Sequence, residues 1–230
     1  MSLLTICQNA AQEIRVAKPS TIVGNTDETA VMLLRAASRA GKVLARRHDW
    51  QVLQKEATIT TADATASYAL ASDYDHHVND TLWDRTNYWK MNGPTSPQDW
   101  QTLQSGIVTS GVRRWFRVKA GLMYIYPTPS SADTLAYEYV SNGWCQDAGG
   151  TAQTDWAADT DTGVISEYLI EAGTIWRGLK AMGMAYAEEK QEHDAEVDLA
   201  VMRDAGAPTV QMHGEAKFDY GVNVPEGGFG

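Results

Sequence analysis

Cysteine is scarce in this chain: Cys7 and Cys145 are the only two in 230 residues. Two thiols so far apart build neither a disulfide framework nor a metal-ligand cluster, and they suit a reducing compartment. No apolar run approaches membrane-spanning length, and no basic segment leads into an apolar core near residue 1, so neither insertion nor export is expected. The chain also lacks a Gly-rich phosphate loop, a Gly-x-Ser-x-Gly turn and a Cys-x-x-Cys pair. Positive charge is in deficit, with 19 Lys/Arg against 29 Asp/Glu and a formal net charge of −10. That balance argues against general duplex DNA binding, which draws its affinity from phosphate neutralisation. What the chain does have is 43% hydrophobic residues, enough to bury a core as one large domain or two small ones and too many for a disordered protein.

Residues 3 to 50 carry the clearest pattern. Leu3, Cys7, Ala10, Ala11 and Ile14 recur at three-and-four spacing on one helical face, and Pro19 forbids continuation. Thr26-Asp27 restarts a helix, since either can accept the free amides of its first turn, and Asp27 and Glu28 suit the positive end of its dipole. This second helix is predicted to run to about His48. Its apolar face, Leu33, Leu34, Ala37, Ala40, Gly41 and Leu44, is rich in small residues that let another backbone come close. The opposite face carries Arg35, Arg39, Lys42 and Arg46, a cationic stripe that reads either as a solvated face or as a docking stripe for an acidic surface. The charge map supports the second reading. Residues 1 to 50 hold seven Lys/Arg against four acids, whereas residues 138 to 204 hold fourteen acids against four Lys/Arg. One protein thus presents a basic end and a strongly acidic one, which speaks to partners rather than to fold.

After Trp50 the pattern turns to strands. Glu56 to Thr61 alternates, Tyr68 to Leu70 and Val78 to Trp83 are short strand candidates, and Val112 to Lys119 with Leu122 to Tyr126 forms a hairpin around Ala120-Gly121. Thr134 to Val140 adds a strand with Leu135, Tyr137 and Tyr139 on one side. Ser96-Pro97 opens a short helix to about Gln104. Residues 141 to 162 read as a long loop anchored by Trp144 and Trp156. Helical period then returns: Ile165, Tyr168, Ala172, Ile175, Leu179, Met182 and Tyr186 mark one apolar seam, whose natural partners are the two N-terminal helices. From Ala187 to Ala205 the pattern is polar apart from Val197 and Val201, as in a solvent-exposed or partner-facing extension. Gly206-Ala207-Pro208 ends the helix, and Thr209 to Gly230 is expected to be extended in the free chain.

Catalytic constellations are thin. Asp73, Asp75, His76 and His77 offer ligands within five positions, but adjacent residues on a short loop seldom converge on one ion, and a polar turn is the simpler reading. Glu188, Glu189, Glu192 and His193 share a helix, yet a di-iron bundle needs Glu three residues before His, where Lys190 stands. A wall-cleaving glycosidase needs two carboxylates at a defined separation, and no pair stands out among so many acids. Trp83, Trp89, Trp100, Trp115, Trp144 and Trp156 read as core and interface anchors rather than a sugar or nucleic-acid platform.

Several runs carry a likeness that none shows alone: Ser2 to Gln8, Pro19 to Gly24, Leu44 to Leu53, Asp80 to Asn87, Gly93 to Pro97, Tyr126 to Pro129, Glu138 to Ser141, and Ile175-Trp176-Arg177 with Gly183 and Tyr186 beyond it. In this order and spacing the chain resembles, over about residues 2 to 190, the head-to-tail adaptor (connector or head-completion) proteins of tailed bacteriophages. The resemblance implies a non-enzymatic structural protein without cofactor or metal. It would form a ring with copies of itself, usually twelvefold, at the virion's head–tail interface after synthesis in the host bacterial cytoplasm. Its partners would be the portal protein, the tail or next connector, and passing genomic DNA bound without sequence specificity, with no membrane involved.

The expected fold is α+β. An N-terminal helical part (1–54) and a loop with a long Ser166 to Asp204 helix (146–205) form a bundle, a β-rich insertion spans 55–145, and an extended tail spans 206–230. Glu188, Glu189, Glu192, Asp194, Glu196 and Asp198 are channel-lining candidates on charge alone. Val210, Met212, Phe218, Tyr220, Val222, Val224 and Phe229 are the apolar points of a tail that could reach into the portal. The reading from a different class is a tail-associated peptidoglycan hydrolase or sugar-binding module, which zymography on cell wall would separate.

Overall fold

The structure is a computed structural model and describes residues 1–107 and 114–204. Its two N-terminal helices form where the apolar spacing placed them. The first, α1 (Leu3–Ile14), is capped by the Ser2 hydroxyl accepting from Thr5 N, and it buries Leu3, Ile6, Cys7, Ala10, Ala11 and Ile14. The second, α2 (Glu28–Ala45), starts at Asp27, whose carboxylate accepts from Thr29 N and Ala30 N at 3.1 and 3.2 Å. It ends three residues before the predicted His48, and a short 3₁₀ turn, Gln51–Leu53, leads into the first strand. The α1–α2 connection is held from across the fold, with Asp159 accepting from Ile22 N and Val23 N.

The middle of the chain is β-rich, with strands β1 (Gln54–Thr60), β2 (Ser67–Ala69), β3 (Tyr74–His77), β4 (Trp83–Asp84), β5 (Trp89–Lys90), β6 (Trp115–Lys119), β7 (Leu122–Tyr126) and β8 (Thr134–Ser141). A short helix, α3 (Pro97–Thr102), is capped by Ser96 as expected. The longest strand, β8, is central: β1 pairs along its whole length on one edge, β3 and β4 share the other, and β5 extends β4, all antiparallel. A second sheet has the order β2-β7-β6. Its β6–β7 hairpin turns through Ala120 and Gly121, both at positive φ, at the predicted place. The part of that strand predicted from Val112 lies outside the described residues. Val78 to Trp83 is not one strand: β3 ends at His77, Asp80, at φ 65°, turns the chain, and only Trp83 of the run is a strand residue, at the start of β4. The predicted polar turn at Asp73 to His77 is instead largely β3. Its polar side chains hid a strand whose backbone is paired but whose faces are only partly buried.

Residues 141 to 162, expected to be loop, contain a three-stranded sheet of β9 (Cys145–Gln146), β10 (Ala152–Gln153) and β11 (Thr162–Gly163), ordered β10-β9-β11. Strands of two residues are too short to show a period. The predicted single helix is two: α4 (Glu167–Ala181) and α5 (Ala187–Asp204), separated at Gly183, whose φ is +70°. The predicted seam is also displaced. Tyr168 is 55% and Met182 45% exposed, while α4 buries Leu169, Ile170, Gly173, Thr174, Ile175 and Gly178. Gly173 meets Ala40 of α2 and Gly178 meets Ile14 of α1, so bare backbone, invisible to a count of apolar side chains, forms much of the contact face. The expected partnership of α4 with both N-terminal helices is present.

Two cores result. One joins α1, α2, α4 and Val197 of α5 to Trp144, Cys145 and Trp156. The other, within the β-rich part, is built from Ile59, Leu82, Met91, Phe116, Met123, Ile125, Leu135, Tyr137 and Tyr139. Both cysteines are free and buried, and burial pushes each thiol up to about 12. No helix among the described residues is long and apolar enough to cross a membrane. The expected tail, with Val210 through Phe229, lies outside the described residues.

Candidate functional site

The outward face of α2 carries the cationic stripe as the sequence placed it. Arg35, Arg39, Lys42 and Arg46 are all exposed and line, with Leu34, Ser38, Val43, Asp155 and Trp156, an open groove of about 650 Å³. Lys42 is ion-paired with Asp155. Burial would raise the Asp155 pKa, but Lys42 and the Ser38 hydroxyl hold it below the usual carboxylate range. Arg35, Arg39 and Arg46 have no ion pair among the described residues. Behind Arg39 stands Arg177 of α4, stacked 4.1 Å over Trp176; burial, then the neighbouring Arg39 charge, lowers it to about 10. The groove is therefore more positive than its own four cations make it.

The wall of the groove comes from the segment expected to be loop. The β9–β11 sheet sets Trp144 and Trp156 edge to face at 4.9 Å, and Trp144 donates its indole N–H to Thr154 O at 2.8 Å. Trp144 lies on Gly41, the only α2 residue small enough at that contact; a Cβ there would fall 2.0 Å from Cζ3. Gly41 thus meets an indole rather than a helix, a correction to the expected helix–helix approach. The Nε1 of Trp156, buried in the groove wall, has no hydrogen-bond acceptor among the described residues.

The six channel-lining candidates on α5 are not one wall. Asp194 and Asp198 turn toward α2, where Arg47 reaches them at 3.4 and 2.7 Å, and Lys190 adds a bridge to Asp194 at 3.1 Å. Glu189, Glu192 and Glu196 face the other way, with Glu13, Tyr168 and Glu171, around a smaller groove of about 230 Å³ floored by Ala172 and Ile175. There Tyr168 donates its hydroxyl to Glu196 at 3.1 Å, a bond that with the Glu196 charge raises the phenol pKa. Glu188 stands exposed in the first turn. His193, 8% exposed against α4, is held below its ordinary pKa by burial and by Arg177, over the opposing pull of Asp194. The end of α5 is fastened to the entry of the β-rich part, since Asp204 accepts from Gln51 N at 2.9 Å and contacts His48 at 3.2 Å.

The Asp73 to His77 group does not converge. Asp73 accepts from Tyr139 and Ser141 hydroxyls and from Lys55 at 2.7 to 2.8 Å, His76 contacts Asp75 and Asp49, and His77 packs on Phe116 and Tyr137. Of the tryptophans, Trp100, Trp144 and Trp156 are buried, Trp83 and Trp115 half-buried, and Trp89 exposed. An Arg114–Asp133 bridge at 2.6 Å, with Asp84 at 3.5 Å, is buried in the β-rich part and escaped the sequence reading, because nothing in spacing marks an ion pair made across a fold.

The arrangement is one of oppositely charged surfaces on a helical bundle with an appended β-rich part, which suits assembly. No curated protein matches the chain. The family model described as SU10 adaptor protein matches residues 1–214, nearly the whole length and well beyond the stretch over which the sequence motifs alone carried the likeness. The chain therefore belongs to the SU10 adaptor protein family, a family of phage head–tail adaptors.

Proposed function

We propose that this adaptor acts as a structural, non-enzymatic ring beneath the portal of the DNA-filled head, extending the channel through which the genome leaves and offering its lower face to the tail. Family membership over residues 1–214 is the observation that carries this reading. The charge arrangement supports it: a protein that binds copies of itself and neighbouring rings benefits from basic and acidic surfaces held apart on a rigid bundle. The stripe of Arg35, Arg39, Lys42 and Arg46 is its docking surface for an acidic partner face. The apolar points from Val210 to Phe229 bind the portal, burying side chains along an extended segment. Around the channel, exposed acids of α5 such as Glu188 keep the lumen negative, so that the passing duplex is not held by its phosphates.

Cryo-electron microscopy of virions tests the reading. The expected result is density for this chain as a closed ring, twelvefold by the family likeness, between portal and tail; its location in a tail fibre or baseplate would refute it. A chain truncated after Gly206 is expected to fold normally and bind isolated portal rings more weakly, and full-strength binding would remove the tail segment from the mechanism.

A further inference from the structure

The two charged grooves lie on opposite sides of the α2–α4 layer. Gly173 of α4 faces α2, whereas Ile175, two residues on and therefore about 200° around the helix axis, floors the acidic groove. On α2, Ala40 faces α4, and Lys42, again two residues on, stands in the basic groove. One copy thus carries a cationic groove on one side and an anionic groove on the other. The basic side holds three arginines without ion-pair partners among the described residues, and a second positive layer at Arg177. The acidic side holds five glutamates and neither Lys nor Arg among its lining residues, His193 being the one basic side chain there.

Complementary surfaces on opposite sides of one protomer cannot satisfy each other within that protomer. They pair head to tail between copies, and a heterologous contact of this kind closes into a ring when its rotation permits. We propose that the subunit interface of the ring is formed by the α2 groove of one copy receiving the α4–α5 glutamate surface of the next. Glu189 and Glu192 of the second copy meet Arg35 and Arg39 of the first. This rests on the ring reading above and names the partner of its docking stripe: a second copy of the same chain. Like charges gathered at each groove disfavour wrong pairings, and the opposite potentials steer the right one. Screening by salt is therefore expected to weaken association.

The test uses the full chain and two charge reversals at exposed positions, Arg35→Glu with Arg39→Glu, and Glu189→Lys with Glu192→Lys. Ring formation is scored by electron microscopy and sedimentation, alone and with isolated portal rings, beside a thermal melt for folding. The wild type forms rings; each reversed chain loses them, with association weakened about tenfold or more. A chain carrying all four substitutions regains rings, which separates lost charge pairing from lost folding. A mixture of the two reversed chains also regains rings, built of the two chains in alternation, because the native groove of one meets the native glutamates of the other and the reversed groove meets the introduced lysines. Reversed chains that ring like the wild type, or a folded fourfold variant that does not, overturn this interface and leave the ring reading standing. A wild type that never rings, even on the portal, overturns both.

Discussion

A methyl group on Gly41 would sit 2.0 Å from Cζ3 and 2.3 Å from Cε3 of Trp144, and neither the helix nor a ring held by its own bond to Thr154 can move far. Gly41→Ala is expected to cost about 1 to 3 kcal/mol by overpacking, against the small gain in helix propensity that alanine brings. Urea unfolding measures it, and an unchanged midpoint would mean that the Trp144 ring does not lie on α2. Asp73 is a second residue whose role only the fold reveals. Burial alone would raise its pKa, but Lys55, Ser141 and Tyr139 all hydrogen-bond to its carboxylate and bring it down to about 2. A folded-state value below the ordinary 3.8 means stabilisation that is fully present above about pH 4 and is lost as pH falls from there through 2. Asp73→Asn is expected to lose about 1 to 3 kcal/mol at neutral pH and to flatten the acid limb of a stability–pH profile in that window. A profile with the same acid limb as the wild type would place the titration elsewhere.

Among the elements, those whose signal is local were legible. The caps at Asp27 and Ser96, the apolar face of α1, the β6–β7 turn and the β8 strand are written in neighbouring residues, and each formed where expected. Elements defined by partners far away in sequence were not. The strand β3 exists because β8 offers it an edge, and the β9–β11 sheet because Trp144 and Trp156 must be set against α2. The seam of α4 was misplaced because glycine carries no hydrophobic signal, although Gly173 and Gly178 let α2 and α1 approach. The same partition holds for the site: the basic stripe was legible as a helical face, while the division of the α5 acids between Arg47 and the Tyr168 groove was not. The break between α4 and α5 was missed because an apolar rhythm ran on through Met182 and Tyr186. At Gly183 a left-handed backbone with open space around it makes strain, not crowding, the consequence of a side chain. Gly183→Ala should therefore destabilise by about 1 kcal/mol, and amide exchange should report it as faster opening of α5 than of α1. Uniform loss of protection across the bundle would contradict a local break.

For the whole molecule, the distribution of charge decides what a ring of such subunits does to DNA. A duplex in a channel is retained by any wall that neutralises its phosphates, and the retention grows steeply with the number of contacts. Repetition around a ring multiplies one substitution by the number of copies, so a single exposed position suffices for a test. Glu188 is suited to it, since it is exposed, has no ion pair among the described residues, and stands apart from the Tyr168 groove and from Arg47. Its place in the first turn of α5 means that lysine there also opposes the helix dipole, at about 0.3 to 1 kcal/mol, which a melting curve measures separately. Glu188→Lys is expected to leave particle assembly intact and to slow genome ejection, more so at low ionic strength, while Glu188→Gln, which removes charge without adding a cation, falls between it and the wild type. Ejection followed by dye uptake of released DNA gives the rate. Equal rates for all three chains at low salt would move Glu188 off the channel wall and leave the acidity of α5 to its contacts with neighbouring protein.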